Sequence, residues 1–475
     1  MPLSGSSKRR LSGAIIKSAM RIVFYNSCSN YFDPKIVHIK TLPTWASEWA
    51  SVAREFAQHK IILAAALPAM FLLDYNGDFI ERPDDGIERV LLNGGGAQEM
   101  AKEILALKPD VAVAASFWIT PYDWLGLEDA MVADILRERG VRVVCHSAKT
   151  QMICFDKALT HNFLKSNGFK CAAAVFVDYE LFWSERKKPE VRDNVYREYV
   201  LREISKLKFP VIIKDTTGLS SYGMEVVHTM GAVRNYLESK KFNSNRLVEE
   251  FLDGPQFGTE IHCFKSQVGR RVDVFPPLLY SVNQYGICSP KQSVKLGPLN
   301  FPQFKCQELR AELERLAGLL DLDGSAQIDL VFHNGSWHII EINPRLSGSS
   351  AAIALIKGKN LPRVLMDFAL AKGGEGEDLW KRNPPLYLNI KFPNLTEKQM
   401  SALYELPYVW YLCQTDNDAA KQRREMGFCE ILLGGSENPR DLQVQPEEIK
   451  EKFPQIIEPG FFETAMKMLD FLLKN

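Results

Sequence analysis

Short apolar runs alternate with amphipathic stretches over the first third of the chain. The runs with strand character are 21–25, 61–66, 110–115 and 141–144, and the stretches with helical spacing are 97–107 and 127–139. Gly140 ends the second helical stretch. Strands that alternate with helices are typical of parallel βαβ units. The pattern therefore predicts an open parallel-sheet α/β domain over residues 20–150.

The middle of the chain is dominated by strands. A helix is predicted to begin at Asp156, and the charged, aromatic-rich stretch 179–208 is predicted to form a surface helix pair or an insertion. The strands expected beyond it are 209–214, 246–252, 258–264, 326–332 and 337–342. Two more helices are expected at 349–356 and 361–372, so the region 151–375 has α+β character.

The two ends of the chain differ from the rest. Residues 1–19 are rich in serine and carry three consecutive basic residues, which favours a disordered or appended extension. Near the other end, Gly373 to Glu377 interrupts the pattern. We therefore expect residues 376–475 to form a separate, small α+β unit.

Composition and charge exclude some classes of protein. The chain of 475 residues has a formal net charge of zero, so no broad basic surface for nucleic acid is expected. Its nine cysteines include no Cys-x-x-Cys pair, as expected for thiols in a reducing compartment. The longest nearly pure apolar run, Ile61 to Leu73, is shorter than the about 20 residues that span a bilayer. We expect a cytoplasmic protein that binds neither nucleic acid nor membrane.

A lysine and a hydroxyl-rich loop form the first candidate site. Lys214 closes a β-branched strand, and the following loop to Met224 contains Ser220 and Ser221. Such a loop can surround a polyphosphate, while a nearby lysine supplies a point charge. Taken alone, the segment is better explained as a β-hairpin with a surface lysine. The order of residues in a Walker loop is absent.

The segment 248–257 is a second candidate. A strand enters a turn here, and Phe251 with Leu252 could supply the flat apolar slot and main-chain groups that an adenine needs. Taken alone, an acidic strand end is the simpler interpretation.

Two carboxylates form the most specific candidate site. Asp329 and Glu341 lie on strands joined by Asn334-Gly335, a strong hairpin signal. Pairing about that turn brings both carboxylates to one face, with Asn343 two residues beyond Glu341. Carboxylate and amide oxygens suit magnesium that already carries phosphates. Arg345 can bind a carboxylate, a phosphate or a developing oxyanion.

In this order the lysines, loop, linker and carboxylates resemble the ATP-grasp superfamily, over about residues 125–350. Leu127 to Ala130, Asp156-Lys157 and Ser220 to Met224 look like D-alanine–D-alanine ligases. Glu341 to Arg345 looks more like carbamoyl-phosphate synthetases, biotin carboxylases and L-amino-acid ligases. The stretch 405–436 is similar to the extra unit of L-amino-acid ligases. The resemblance implies a two-lobed ATP-grasp domain at 151–375.

The resemblance also implies roles for single residues. The nucleotide-binding residues would be Lys157, Lys214, Ser220, Ser221, Glu249, Phe251, Leu252 and Gln256, the metal ligands would be Asp329, Glu341 and Asn343, and the catalytic residues would be Arg345, Lys214 and Ser220. Gln256 departs from the family, in which a ribose-binding glutamate is usual. Lys291 or Lys295 is a further candidate for phosphate contact, although a position in a solvated loop is the favoured interpretation for both.

The implied activity is that of an ATP-dependent carboxylate–amine ligase. Such an enzyme forms an amide or peptide bond through an acyl phosphate and releases ADP and phosphate. The expected partners are ATP, Mg²⁺ or alternatively Mn²⁺, a small acid and an amine, and a homodimer is one candidate assembly. Two alternatives stay open: a bicarbonate-using enzyme of the biotin carboxylase or carbamoyl-phosphate synthetase type, and an idle ATP-binding module.

Overall fold

The computed structural model describes most of the chain. The residues described are 19–27, 37–66, 72–73, 85–117, 126–187, 190, 192–217, 224–266, 269–288, 293–372, 380, 385–417, 428–436 and 438–474. All but the last residue of the predicted N-terminal extension therefore lies outside the described residues. The predicted combination of α/β and α+β architecture is confirmed.

The N-terminal part is an open parallel sheet flanked by helices. Its elements are β1 (Arg21–Asn26), β2 (Val37–Leu42), α1 (Trp45–Glu55), β3 (Lys60–Ala65), β4 (Ile87–Leu91), α2 (Ala97–Ala106), β5 (Val111–Ala114), α3 (Gly126–Glu138) and β6 (Arg142–Val144). Five of the strands pair in parallel in the order β4-β3-β1-β5-β6. Parallel strands are buried on both faces, which explains the nearly continuous apolar sequence of β1 and β3.

A small antiparallel lobe follows. Its elements, with the two helices before it, are α4 (Ala148–Phe155), α5 (Lys157–Ser166), β7 (Ala174–Val177), α6 (Tyr179–Phe182), α7 (Ser184–Lys187), α8 (Val195–Ile204), β8 (Val211–Asp215), β9 (Glu225–Val227), α9 (Met230–Glu238) and β10 (Arg246–Glu250). The strand order is β7-β10-β8-β9. The Asp156 side chain accepts hydrogen bonds from the N–H groups of Ala158 and Leu159, and this cap makes Lys157 the first residue of α5.

The rest of the chain is built on one large sheet. Its elements are β11 (Gln256–Ser266), β12 (Gly269–Val274), β13 (Leu278–Tyr280), β14 (Lys295–Gly297), α10 (Cys306–Leu319), β15 (Gly324–His333), β16 (Ser336–Asn343), α11 (Ser350–Ile356), α12 (Leu361–Leu370), β17 (Leu386–Pro393), α13 (Glu397–Tyr404), β18 (Val409–Asn417), β19 (Phe428–Ser436), α14 (Pro439–Lys452) and α15 (Pro459–Lys474). In the described chain, the strand order is β16-β15-β11-β13-β14-β17-β19-β18-β2, and β12 pairs with β11.

The C-terminal strands, for which a separate unit is expected, share this sheet with strands from the middle of the chain. Strands β17 to β19 do not form a sheet of their own, because β17 pairs with β14. The far edge is completed by β2, which comes from the N-terminal part and pairs with β18. Strand β2 and the strands β11 to β19 therefore belong to one sheet with continuous strand pairing.

The two faces of the large sheet differ in chemistry. On one face, alternate residues such as Ile328, Leu296 and Ile390 belong to the main apolar core. On the other face, the residues between them include Asp329, Lys295 and Lys391. Side chains alternate between faces along a strand, so these polar residues share a face. Other positions of the same face, such as Tyr280, Tyr387 and Leu432, belong to a second apolar core. The candidate site lies on this face, at the β15–β16 edge of the sheet.

His146 ties the N-terminal domain to the large sheet. His146 lies just after β6. The N–H of Asp323 donates to its Nδ1 (3.2 Å). The proton is therefore on Nε2, which donates to the carbonyl of Ser325 (2.8 Å). Burial, followed by the charges of Lys265 and Arg137, lowers the pKa of His146 to about 4. The buried ring is therefore neutral, and its two bonds fix one tautomer.

Acidification is expected to weaken this junction. The pKa of His146 falls from 6.5 to about 4 on folding. The contribution of the neutral ring to the free energy of unfolding is therefore complete above pH 6.5 and is lost as the pH falls towards 4. The loss is about 3 kcal/mol, at 1.36 kcal/mol for each pKa unit. Urea unfolding at pH 7 and pH 4.5 should show that the stability advantage of wild type over His146→Gln shrinks by about 2–3 kcal/mol. An advantage that does not change with pH would contradict a neutral buried ring.

Two simpler expectations can also be compared with the structure. No disulfide joins the cysteines in the described part of the chain, in agreement with the expectation of thiols. Within the same residues, no helix has the length and hydropathy that a bilayer crossing requires.

Candidate active site

The two predicted metal-binding carboxylates face each other across the hairpin of β15 and β16. The turn residues Asn334 and Gly335 both have positive φ, at 48° and 70°, as expected for a two-residue hairpin turn. The register pairs Asp329 with Glu341, and a bulge lies directly after Asp329. The expectation that both carboxylates share one face is therefore confirmed.

A chain of hydrogen bonds connects Asp329 with Arg345. Asn343 lies opposite Gln327. The Gln327 Nε2 donates to Asp329 Oδ1 (2.5 Å), and Asn343 Nδ2 donates to Gln327 Oε1 (2.8 Å). Arg345 Nη2 in turn donates to Asn343 Oδ1 (3.0 Å). Gln327 thus links three predicted site residues, namely Asp329, Asn343 and, through Asn343, Arg345. The sequence analysis missed Gln327, although its position two residues before Asp329 places it on the same face.

The charges around the two carboxylates are unequal. Burial, and then the charge of Glu341, raises the pKa of Asp329 to about 7. For Glu341, burial raises the pKa, but Lys157 and the charges of Lys214 and Arg345 outweigh it, so the pKa is lowered. Lys157 Nζ lies 3.0 Å from Glu341 Oε1. Glu341 is therefore held as a carboxylate. Asp329, by contrast, titrates near neutral pH.

This arrangement fits a divalent cation. Asp329, Glu341 and Asn343 present hard oxygen atoms on one face, which is the ligand type that Mg²⁺ takes. Burial, and then the charge of Glu341, raises the pKa of Asp329, and a bound cation would offset both effects. In the structure, the positive charge next to Glu341 is that of the Lys157 side chain.

The second predicted lysine is also paired. Lys214 on β8 lies opposite Leu247 on β10, and its Nζ donates to Glu249 Oε2 two residues further along β10. Both side chains are largely buried. The pair brings a predicted phosphate-binding residue and a predicted adenine-binding residue into direct contact. A buried lysine with a single acidic partner keeps its other donors available for an anion.

The segment 248–257, the candidate adenine-binding segment, forms hydrogen bonds within the protein that the sequence did not indicate. The N–H of Phe251 donates to Pro210 O (3.0 Å), so the main chain at Leu252 is the better candidate for an adenine edge. Gln256 does not point its amide at solvent: its Nε2 donates to Gly286 O (2.5 Å) and its Oε1 accepts from Cys288 N (3.1 Å). Gln256 therefore holds the segment before Lys295, and its ribose contact stays a prediction.

The remaining predicted residues fall into two groups. Ser220, Ser221 and Lys291 lie outside the described residues. Lys295 is buried on β14, and its Nζ donates to Ser349 Oγ (2.9 Å). Lys295 and Asp329 also influence each other's pKa, so this lysine faces the carboxylate end of the site. The sequence analysis favoured a solvated loop for it, and that expectation was wrong.

Loss of Lys214 is expected to weaken nucleotide binding. Lys214→Met removes one buried positive charge, and we expect the Kd for Mg²⁺-ATP to rise about tenfold, the equivalent of one charge-assisted hydrogen bond. Binding of a fluorescent ATP analogue measures it. Lys214→Met/Glu249→Gln avoids an unpaired buried carboxylate, and Lys241→Met, which removes an exposed lysine paired with Glu225, is the matched control. Unchanged affinity in both Lys214 variants would remove Lys214 from the phosphate site.

Comparison with known proteins agrees with this geometry. Residues 190–377 match the model of the carbamoyl-phosphate synthase L chain, ATP binding domain. The carbamoyl phosphate synthase large chain of Clostridium beijerinckii is 23% identical over 207 residues, which are 42% of this chain and 19% of the relative. That of Thermomicrobium roseum is 24% identical over 194 residues, 39% of this chain and 18% of the relative. The chain thus matches about a fifth of the length of these relatives.

Solved structures share the fold over nearly the whole chain. An L-amino acid ligase from Bacillus licheniformis has a TM-score of 0.58 at 13% identity, covering 92% of this chain and 98% of its own. A biotin carboxylase from Campylobacter jejuni has a TM-score of 0.58 at 10% identity, covering 96% and 97%. The fold is therefore that of ATP-grasp proteins. The match of residues 190–377 to an ATP-binding domain agrees with this fold.

Proposed function

We propose that the protein is an ATP-dependent carboxylate–amine ligase, which forms an amide or peptide bond and releases ADP and phosphate. The observation that carries this proposal is the array formed by Asp329, Glu341, Asn343 and Arg345. Lys157 forms an ion pair with Glu341 at the edge of this array. An anion-binding arginine beside hard oxygen ligands suits a reaction between a triphosphate and a carboxylate.

The proposed reaction has two steps. A carboxylate oxygen of the acid attacks the γ-phosphorus of ATP; a new O–P bond forms, the bond to the β-phosphate oxygen breaks, and ADP leaves. The amine nitrogen then attacks the acyl carbon of the acyl phosphate, the C–O bond to phosphate breaks, and the nitrogen loses a proton. The protein mainly aligns the reactants and neutralises charge.

The site residues would divide this work between them. Bound Mg²⁺, or Mn²⁺, would neutralise phosphate charge, and Asp329, Glu341 and Asn343 are the residues that would hold it. Lys157 and Lys214 would bind phosphate oxygens. Both lysines already pair with carboxylates, so their side chains are ordered before a nucleotide arrives.

Arg345 is suited to the carboxylate of the acid. One of its nitrogen atoms is anchored on Asn343, and its guanidinium carbon lies 5.7 Å from the centre of the Phe117 ring. These contacts orient the planar group next to the metal ligands. A guanidinium in this place can reduce the repulsion between carboxylate and triphosphate, and can stabilise the oxyanion of the second step.

The likeness to an L-amino acid ligase over 98% of that chain supports an amine as the second substrate. The match of residues 190–377 to a carbamoyl-phosphate synthase domain, with a biotin carboxylase among the similar structures, favours bicarbonate as the second candidate acid. The two candidates share the array around Arg345 and differ in the acid and in the nucleophile.

A screen of ADP release separates the candidates. The purified protein is incubated with Mg²⁺-ATP, and acids are tested in pairs with amino acids and simple amines. A ligase should release ADP only when both an acid and an amine are present, and mass spectrometry should detect the amide. Maximal ADP release with bicarbonate alone would favour the second candidate. ATP binding without turnover for any pair or for bicarbonate would favour the idle module.

A further inference from the structure

A fully buried glutamate, Glu260, lies beside the candidate active site. Glu260 is on β11, and the register pairs it with Gln327 on β15. Gln327 is in turn paired with Asn343 on β16. Paired residues of neighbouring strands share a face of the sheet, so Glu260 lies on the face that carries the candidate metal ligands. It is one strand away from Gln327 and two strands away from Asn343.

The side chain of Glu260 bonds residues 346–350, which we term the serine loop. Its Oε1 accepts hydrogen bonds from Ser347 Oγ (2.8 Å) and Ser350 Oγ (2.5 Å). Its Oε2 accepts a hydrogen bond from His262 Nε2 (3.0 Å). Because β15 lies between β16 and β11, the chain that leaves β16 must cross over β15 to make these contacts. Glu260 therefore holds the serine loop across the face of the sheet.

Further hydrogen bonds fix the path of the serine loop. The N–H of Ser347 donates to Ser350 Oγ (2.8 Å), and the N–H of Ser349 donates to Ser347 Oγ (3.0 Å). Lys295 Nζ on β14 donates to Ser349 Oγ (2.9 Å). All three serines are buried. A buried carboxylate needs hydrogen bonds in place of its lost hydration, and two of the three side-chain bonds to Glu260 come from this loop.

The serine loop in turn contacts the guanidinium group of Arg345. Arg345 Nη1 donates to Leu346 O (3.2 Å), while Nη2 donates to Asn343 Oδ1 (3.0 Å). Leu346 is buried, and Gln151 Nε2 donates to Pro344 O (3.1 Å) on the other side of Arg345. A guanidinium binds an anion at two points only when its plane is correctly oriented. One contact that orients this plane belongs to the strand of the metal ligands, and another belongs to the serine loop.

We propose that Glu260 is a positioning residue, which orients Arg345 for the substrate carboxylate and the oxyanion by holding the serine loop. This inference rests on the proposed ligase function. Glu260 acts through Arg345 and not on the reacting groups, since its side-chain bonds go to Ser347, Ser350 and His262. The role requires an acceptor oxygen for the two hydroxyl groups, and it does not require a negative charge.

Kinetics of ADP release test the proposal, with the acid and amine that the screen identifies. Glu260→Leu has a similar size and no acceptor, so kcat should fall about tenfold, while the Kd for Mg²⁺-ATP stays within about twofold of wild type. Glu260→Gln retains an acceptor oxygen for both hydroxyls, and its amide N–H can donate to the other tautomer of His262. It should therefore recover most of the loss. Ser350→Ala removes one of the two hydroxyls and should give a smaller loss of kcat.

A double-mutant cycle separates positioning from stability. In an Arg345→Lys background, Glu260→Leu should change kcat by less than about twofold, because the group that Glu260 positions has already been replaced. A residue that only stabilises the fold would lower kcat by the same factor in both backgrounds. Asp367→Asn is the matched control, since Asp367 is also buried and its carboxylate is held by Lys359 and Arg363. It should lower the Tm and leave kcat within about twofold of wild type.

Hydrogen exchange tests the anchorage of the loop without any substrate. The N–H groups of Arg345, Ser347, Ser349 and Ser350 all donate hydrogen bonds within residues 343–350. Mass spectrometry of the peptide that contains them should show exchange at least about tenfold faster in Glu260→Leu than in wild type, as expected for local opening. In Asp367→Asn the same peptide should exchange at close to the wild-type rate.

The outcomes distinguish this proposal from the ligase proposal. Faster exchange with a non-additive loss of kcat would support both. Faster exchange in a protein that releases no ADP with any pair would contradict the ligase function and still support control of Arg345 by Glu260. Unchanged exchange in Glu260→Leu, equal losses of kcat in both backgrounds, or an equally damaging Glu260→Gln would overturn the positioning role. If Glu260→Leu does not fold, Ser350→Ala replaces it in each comparison, and wild-type exchange and kcat in that variant would overturn the role.

Discussion

Glu341→Gln is expected to lower magnesium-dependent ADP formation by about two to three orders of magnitude, as is typical when a group that holds a catalytic metal is removed. The substitution keeps the size and shape of the side chain but removes its charge. Glutamine also cannot pair ionically with Lys157, whose Nζ lies 3.0 Å from the carboxylate. Lys157 would then lose this ion pair and could bind the phosphate that the metal should bind, in a geometry that does not lead to reaction.

Two measurements check this expectation. A magnesium titration of ADP release should show a higher half-saturating concentration and a lower maximum in the variant. Circular dichroism and thermal unfolding should stay close to wild type, because the β15–β16 hairpin keeps its register and its Asn334-Gly335 turn. Glu225→Gln, at an exposed glutamate paired with Lys241, is the matched control and should retain activity. Wild-type magnesium dependence in Glu341→Gln would remove Glu341 from the metal site.

Arg345→Lys is expected to lower kcat by about a hundredfold, the usual cost of removing one donor to a developing oxyanion, with little change in the Kd for ATP. Lysine keeps the positive charge but not the planar fork that binds a carboxylate at two points. It also loses the bond to Asn343 Oδ1 (3.0 Å) and the orientation given by Phe117. The loss should therefore appear in the chemical steps rather than in nucleotide binding.

The control for Arg345 is another arginine with similar surroundings. Arg363 lies over the ring of Phe56 at 4.5 Å and pairs with Asp367, so Arg363→Lys makes the same change away from the site. We expect Arg363→Lys to affect stability and to leave kcat within about twofold of wild type, as for a substitution outside the site. Equal losses of kcat in the two variants would mean that Arg345 acts through packing.

The sequence predicted those parts of the site that depend on local rules. The Asn334-Gly335 turn determines the register of its hairpin, and the register brings Asp329 opposite Glu341. Strand and helix periods along the first 150 residues likewise identified β1, β3 and β5, because each of these strands has a continuous apolar run. The nearest-neighbour rules of turns and periods are sufficient for such features.

Features that depend on distant pairing could not be predicted in this way. Strand β2 joins β18 across more than 370 residues of sequence, and no local pattern indicates that partner. Gln256 has the spacing of a nucleotide ligand, but its amide bonds Gly286 and Cys288. Lys391 looks like an ordinary charged residue of a C-terminal strand, and only the sheet order shows that it is buried opposite Glu430.

The pairing of β14 with β17 has a consequence for protein engineering. If the chain were cut near residue 375, the N–H and C=O groups of residues 295–297 would lose the partners that residues 387–389 provide. A bare strand edge of this kind invites pairing with other molecules and leads to aggregation. The C-terminal portion therefore cannot be exchanged between relatives as an independent module. A chimera would need a replacement strand that matches this edge in register and continues its alternation of polar and apolar residues.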